Sequence, residues 1–132
     1  MSGVITLISD FGTKEGYVGA MKGVILSFAP GVRIVDITHE IPFGRVSKAS
    51  LVLESIQQYY PAGTVHLVVV DPGVGSQRRA VLLTSPVASF VGPDNGVFSY
   101  VVEELSPQSR LEPGETSGSV MRVLGPEVQA YE

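Results

Sequence analysis

Apolar residues recur with two different periods along the first seventy residues, and these periods predict alternating strands and helices. Mostly apolar runs predict strands, whereas apolar residues spaced three and four apart predict helices. The predicted strands are 4–8, 32–36 and 65–70, and the predicted helices are 17–28 and 47–60, the second with Ser47 as its N-cap. Two successive strand–helix–strand passages favour right-handed connections and a parallel sheet.

The second half of the chain continues this pattern less regularly. Short apolar runs predict strands at 80–83, 90–91 and 119–124, the segment 93–96 opens a predicted helix that reaches Leu105, and residues 107–118 predict an exposed loop. The last five residues resemble a strand that stops without a cap, so we expect the chain to continue beyond them. The expected architecture is a three-layer α/β domain with a mainly parallel sheet.

Composition narrows the class of protein. The chain has 132 residues, of which 44% are hydrophobic and 17% charged, with a net charge of −4. These values are typical of one soluble globular domain and argue against a disordered or membrane-embedded chain. No basic stripe is present, which argues against nucleic acid as a partner. The absence of cysteine excludes disulfides and thiolate chemistry and is compatible with the cytoplasm, the location we expect.

The turn at residues 71–79 is the strongest candidate for a site. Its strand is apolar on consecutive residues, which predicts burial on both sheet faces and places Asp71 where the strand meets solvent. Ligands of open α/β sheets bind at that edge, and Gly73 and Gly75 allow main-chain N–H groups to approach one closely. The alternative is a strand-to-strand turn that carries a solvated salt bridge. The turn lacks the third glycine and the following helix of a dinucleotide or P-loop site.

Three acidic loops follow the predicted parallel strands, at Asp10, Asp36 and Asp71. If the sheet is parallel, these loops converge at one edge. A carboxylate there commonly accepts hydrogen bonds from ribose hydroxyls, and we favour this role for Asp10 over capping of the next helix.

Other candidate ligand groups have a structural alternative that weighs more. His39 and His66, with Asp36 and Glu40, have the residue types of a metal site, but a lone histidine near a glutamate is more often structural, so we expect no metal. Aromatic rings at Phe43 and Tyr17 are suited to stacking on a base, although most such rings lie in cores. Asn95 is expected to stabilise a turn, with ligand contact as the alternative.

Taken together, four motifs resemble the S-adenosyl-L-methionine hydroxide adenosyltransferase family, the adenosine-forming hydrolases of S-adenosylmethionine (SAM) related to fluorinase and chlorinase. The motifs are Ser9-Asp10-Phe11-Gly12, Asp36-Ile37-Thr38-His39, Asp71-Pro72-Gly73-Val74-Gly75 with Arg78-Arg79, and Gly92-Pro93-Asp94-Asn95-Gly96. The resemblance runs in order from Val4 to about Leu105. Members of the family pair an α/β N-terminal domain with a C-terminal β-barrel and form trimers with active sites between subunits. The resemblance therefore implies that residues 1–132 are the N-terminal, SAM-binding domain of a longer protein.

The resemblance also implies a reaction, in which water attacks the ribose C5′ of SAM and releases adenosine and methionine. Asp71 would orient the water and Arg78 would lower its effective pKa, while an anionic Asp71 argues against a halide as the nucleophile. The expected substrate-binding residues are Asp10, Phe11, Phe43, Val74 and Asn95. SAM is then a substrate, and no cofactor is implied.

Part of the family's site has no counterpart in this chain. The water-binding set of the family includes a histidine that neither His39 nor His66 matches, and the β-barrel is absent. The alternative to a hydrolase is therefore a noncatalytic nucleoside-binding or assembly module, and a halide-using adenosyltransferase ranks below both.

Overall fold

The computed structural model describes residues 3–76, 78–105 and 120–123, with side chains for 3–76 and 78–103. Nine elements follow one another in this part: β1 Val4–Ser9, α1 Tyr17–Phe28, β2 Arg33–Thr38, α2 Val46–Gln57, β3 Thr64–Val69, β4 Ala80–Thr84, β5 Ala88–Pro93, α3 Ser99–Leu105 and β6 Val120–Val123. The predicted elements are confirmed with boundaries that differ by a few residues. The predicted loop at 107–118 and the terminal strand-like segment lie outside the described residues.

The described strands form one sheet in the order β2-β1-β3-β5-β4-β6. Strands β2, β1, β3 and β5 pair in parallel, whereas β4 pairs antiparallel with both β5 and β6. The crossover through α1 runs toward β2 and the crossover through α2 runs back toward β3. Since both crossovers are expected to be right-handed, the two helices lie on opposite faces of the sheet. The three-layer, mainly parallel α/β fold is thereby confirmed.

The core lies between the sheet and the layer formed by α2 and α3. Val68, Val70 and Phe90 point into it and are fully buried, as is Leu53 from α2. Along β3, fully buried residues alternate with half-buried ones. The predicted burial on both faces of this strand is therefore wrong within this chain, because only the α2 and α3 side is fully covered.

Two details of the helices also differ from prediction. The periodicity of α1 correctly predicts its bounds, yet none of its residues is fully buried, and Tyr17 and Phe28 are exposed. Helix α2 begins at Val46 with Arg45 as the N-cap residue and no side-chain cap, so Ser47 is not its cap. In the described part of the chain, no helix is long and apolar enough to cross a membrane.

Candidate active site

The carboxyl ends of β1 and β3 lie side by side, because Ser9 pairs with Val69 in the parallel register. Asp10 and Asp71 therefore leave the same edge of the sheet, as predicted. Asp36 differs, since it lies within β2 and not after it.

A third loop joins these two carboxylate loops. The Gly44 N–H donates to Asp10 Oδ2 at 2.9 Å. Gly44 has φ +71°, and a Cβ added to it would lie 3.3 Å from the Pro72 Cβ, so glycine is required both for conformation and for close approach. The N-cap residue of α1 is Gly16, without a side-chain cap. Capping of the next helix by Asp10 is therefore excluded.

The carboxylate of Asp71 forms a buried ion pair with Arg78. Asp71 Oδ2 contacts Arg78 Nη2, and the two side chains are 6% and 12% exposed. The solvated salt bridge considered for this turn is thus wrong, because the guanidinium folds back over the carboxylate. Asp71 Oδ1 is buried and has no hydrogen-bond partner among the described residues. A buried carboxylate oxygen of this kind needs a polar partner, and a bound water or a ligand hydroxyl meets that requirement.

The neighbouring arginine takes a different carboxylate. Arg79 donates to Asp94 Oδ2 from Nη2 at 2.5 Å and from Nε at 3.1 Å, and both side chains are substantially exposed. This pair fastens the turn to the loop that follows β5. Arg78 and Arg79 therefore do separate work despite their adjacency.

Asn95 stabilises the carboxyl end of β3. Its Nδ2 donates to the Val70 carbonyl at 3.0 Å, and its Oδ1 accepts from the Val97 N–H at 3.2 Å. The predicted turn role is confirmed by these two bonds, and contact with a ligand stays a prediction.

Exposed apolar side chains lie in the same loops. Phe43, next to Gly44, is 83% exposed, and Val74 is also exposed within the Asp71 turn. Phe11 is more than a third exposed, and its ring lies 6.1 Å from that of Tyr17. Apolar rings beside two carboxylates can pack against a flat heterocycle while the carboxylates receive its sugar hydroxyls.

Comparison with known proteins identifies the family to which this site belongs. Residues 5–120 match the SAM hydroxide adenosyltransferase N-terminal domain. The chain belongs to this family. An (R)-S-adenosyl-L-methionine hydrolase from Methanocaldococcus jannaschii is 41% identical over 140 residues, which cover 95% of this chain and 52% of that hydrolase.

Two further relatives extend the comparison. A fluorinase from an Actinoplanes species is 26% identical over 151 residues, covering 97% of this chain and 50% of the fluorinase. A crystal structure of an uncharacterized conserved protein from Thermotoga maritima has a TM-score of 0.79 at 39% identity, covering 92% of this chain and 43% of that one. This member of the SAM hydroxide adenosyltransferase family therefore spans about half the length of the relatives it matches.

Sequence reasoning missed one group of polar residues in this family member. His39 was considered as a metal ligand with Asp36, but the structure connects it by hydrogen bonds to Ser9 and Asp36. No group of three or more histidine, cysteine, aspartate or glutamate side chains is arranged for a metal among residues 3–76 and 78–103. The spacing of Asp36 and His39 gave a signal for their pairing, whereas Ser9 lies thirty residues away.

The second histidine lies away from the carboxyl edge. His66 is fully buried, its Nδ1 lies 2.6 Å from Thr6 Oγ1, and its ring stacks on Phe90 at 5.2 Å. Burial lowers the pKa of His66 to about 4, so the ring is neutral near neutral pH. His66 is therefore a core residue, as its position on β3 predicts.

Proposed function

We propose that this chain carries the SAM-binding half of an enzyme that hydrolyses SAM to adenosine and methionine. The observation that supports this most directly is the buried Asp71–Arg78 pair with an unpartnered carboxylate oxygen. The 41% identity to an (R)-S-adenosyl-L-methionine hydrolase supports the same reaction.

The proposed reaction is an in-line displacement at the ribose C5′. Water bound to Asp71 Oδ1 forms the new C5′–O bond as the C5′–S bond breaks, and the electron pair of that bond returns to sulfur. Methionine leaves as a neutral thioether, and the water gives up one proton to solvent through the carboxylate. The sulfonium is already a good leaving group, so the protein contributes mainly by positioning and by fixed charge.

Arg78 and Asp10 have distinct tasks in this proposal. The Arg78 guanidinium stabilises the hydroxide-like charge that develops on the water, and it holds Asp71 in one orientation. Asp10 accepts hydrogen bonds from the ribose hydroxyls while its Oδ2 stays fixed by the Gly44 N–H. Asn95 contributes at the edge of the ribose site.

The apolar groups supply the walls for the adenine and the methionine chain. Phe11, Phe43 and Val74 are the proposed contacts, and their exposure in this chain is consistent with a pocket that another subunit or domain completes. Accordingly, we include in the proposal a C-terminal β-barrel domain, a homotrimer and a cytoplasmic location, which the absence of cysteine permits.

Two other functions are separable from this one. A fluorinase is among the relatives, at 26% identity, but the anionic Asp71 repels a halide at the position of the nucleophile. A noncatalytic nucleoside-binding or assembly module would use Asp10 and the aromatic rings without turnover.

The test is turnover of SAM by the purified chain in H₂¹⁸O. Attack at C5′ puts ¹⁸O into the 5′-hydroxyl of the adenosine, which mass spectrometry detects. We expect Asp71→Asn to lower the rate roughly hundredfold or more, whereas Asp94→Asn, which alters the exposed pair with Arg79, keeps most of it. Adenosine binding by calorimetry without turnover would instead favour the module. Appearance of a 5′-halogenated nucleoside with added halide would favour the halogenase.

A further inference from the structure

A chain of four polar side chains crosses from α1 through β2 to the end of β1. Lys22 Nζ lies 2.6 Å from Asp36 Oδ2, Asp36 Oδ1 lies 2.7 Å from His39 Nε2, and His39 Nδ1 lies 2.6 Å from Ser9 Oγ. We refer to these four residues as the Ser9–His39 relay. Its inner end is buried, with Ser9 fully inaccessible and His39 5% exposed.

The order of serine, histidine and aspartate in the relay resembles that of a hydrolase triad, but its exposure excludes this role. A nucleophilic hydroxyl must reach its substrate, and the Ser9 side chain has no accessible surface. A buried hydroxyl bonded to a buried imidazole instead fixes the position of the backbone that carries it.

The hydrogen-bond pattern assigns a direction to the relay. The Phe11 N–H donates to Ser9 Oγ at 3.3 Å, so the Ser9 hydroxyl proton is available for His39 Nδ1. The remaining proton of the neutral ring then lies on Nε2 and is donated to Asp36. Burial disfavours the ionised form of Asp36, but the hydrogen bonds from Lys22 and His39 outweigh it and hold the pKa of that carboxyl below its ordinary value.

The relay ends on the loop that bears the proposed ribose ligand. Ser9 immediately precedes Asp10, and the Gly12 N–H donates to the His39 carbonyl at 2.7 Å. The loop from Ser9 to Gly12 is thus held at both ends by His39, through its side chain and through its backbone. No other described side-chain bond joins this loop to β2.

We propose that His39 is a positioning residue for substrate binding, which acts through Ser9 to hold Asp10 and Phe11 against the nucleoside. This inference rests on the proposed function, since it assigns the relay to the ribose end of that site. Because Asp71 and Arg78 lie on a different loop, loss of the relay should weaken binding while leaving the chemical step largely intact.

The same strand supplies a matched control. Thr6 Oγ1 and His66 Nδ1 also lie 2.6 Å apart, and both side chains are fully buried. This pair is a threonine–histidine bond of the same length on the same strand, one that does not touch the Asp10 loop. Thr6→Val removes it with little change of shape, as Ser9→Ala does for the relay.

The experiment compares Ser9→Ala and His39→Phe with Thr6→Val in the full chain. We expect Ser9→Ala and His39→Phe to raise the dissociation constant of adenosine and the KM for SAM about tenfold or more, with kcat changed less than threefold. Amide hydrogen exchange at Phe11 and Gly12, measured by NMR, should accelerate in these two variants and not in Thr6→Val. Asp36→Asn, at a partly exposed position, should show the same pattern more weakly and serves if the buried variants do not fold.

The possible failures are distinguishable. Equal effects of Ser9→Ala and Thr6→Val on KM and on exchange would overturn the positioning role, as would a loss confined to kcat. A wild-type chain that neither binds adenosine nor hydrolyses SAM would count against the proposed function. In that case the exchange rates at Phe11 and Gly12 still decide whether the relay holds the loop.

Discussion

At the scale of single residues, two adjacent arginines differ in what their loss should cost. Arg78 neutralises a carboxylate that is almost fully buried, whereas Arg79 pairs with Asp94 at the surface. We expect Arg78→Gln to lower the free energy of unfolding by about 3 kcal/mol, because it leaves a buried charge unpaired. Arg79→Gln should cost less than about 1 kcal/mol. Urea unfolding of both variants measures this difference, and equal losses would show that Asp71 does not depend on Arg78.

The buried histidine of β3 makes stability depend on pH in a defined window. His66 has a pKa of about 4 in the folded chain and an ordinary value of 6.5, so the unfolded chain binds the proton first as the pH falls. The free energy of unfolding should therefore decrease from about pH 6.5 to pH 4, by at most about 3 kcal/mol from this group. Unfolding measured across this range checks the prediction.

A variant isolates the contribution of this histidine. His66→Gln cannot titrate, so its stability should change less between pH 6.5 and pH 4 than that of the wild type. Below pH 4, both proteins should lose the stabilisation that the lowered pKa of Asp36 provides above it. Parallel curves for the two proteins between pH 6.5 and 4 would show that His66 is not held neutral.

Some residue-scale features were predictable from the sequence and others were not. The convergence of Asp10 and Asp71 follows from parallel pairing alone, because successive carboxyl ends meet at one edge. The resemblance singled out Arg78, but no spacing rule distinguishes it from Arg79 as the partner of a buried carboxylate. The bond from His39 to Ser9 spans thirty residues and depends on strand register, which a single sequence does not reveal.

At the scale of elements, a close approach of β5 to β3 and α3 makes one glycine critical. A Cβ added at Gly92 would lie 2.7 Å from the Val68 carbonyl oxygen and 2.9 Å from Phe98 Cζ. We expect Gly92→Ala to destabilise the chain by about 2–3 kcal/mol, because the backbone oxygen cannot move without disturbing the sheet.

The opposite result is expected for a glycine in α1. Nothing lies within 4 Å of a Cβ added at Gly23. Gly23→Ala should therefore stabilise the chain by about 0.5–1 kcal/mol through helix propensity. Thermal unfolding of the two variants should move the midpoints in opposite directions. A shift in the same direction for both would contradict the packing at β5.

The periodicity of a helix predicts its bounds better than its surroundings. Tyr17, Met21, Val24 and Phe28 are spaced four, three and four residues apart, which correctly indicates a helix. The same spacing is expected of a core-facing stripe, yet the stripe is largely exposed because Val18 and Ile25, on a different face, are the more covered residues. An apolar period reports that a surface is to be covered, without reporting by what.

At the scale of the whole molecule, two surfaces remain open in a chain that spans about half the length of its relatives. One is the apolar stripe of α1, and the other is the half-buried face of β3. The stripe begins at Tyr17, whose ring lies beside Phe11 at the proposed substrate site. A partner that covers α1 would therefore also approach the wall of that site.

Exposed apolar stripes of this kind promote association, so we expect copies of this chain to self-associate through α1. Val24→Ser combined with Phe28→Ser should lower the weight-average mass in sedimentation experiments toward that of the monomer. Leu51→Ser, at an exposed position of α2 on the opposite face of the sheet, is the matched control and should leave the mass unchanged. A wild-type chain that stays a monodisperse monomer at high concentration, and binds no hydrophobic dye, would contradict this. Association that persists in the double serine variant would instead transfer the contact to the half-buried face of β3.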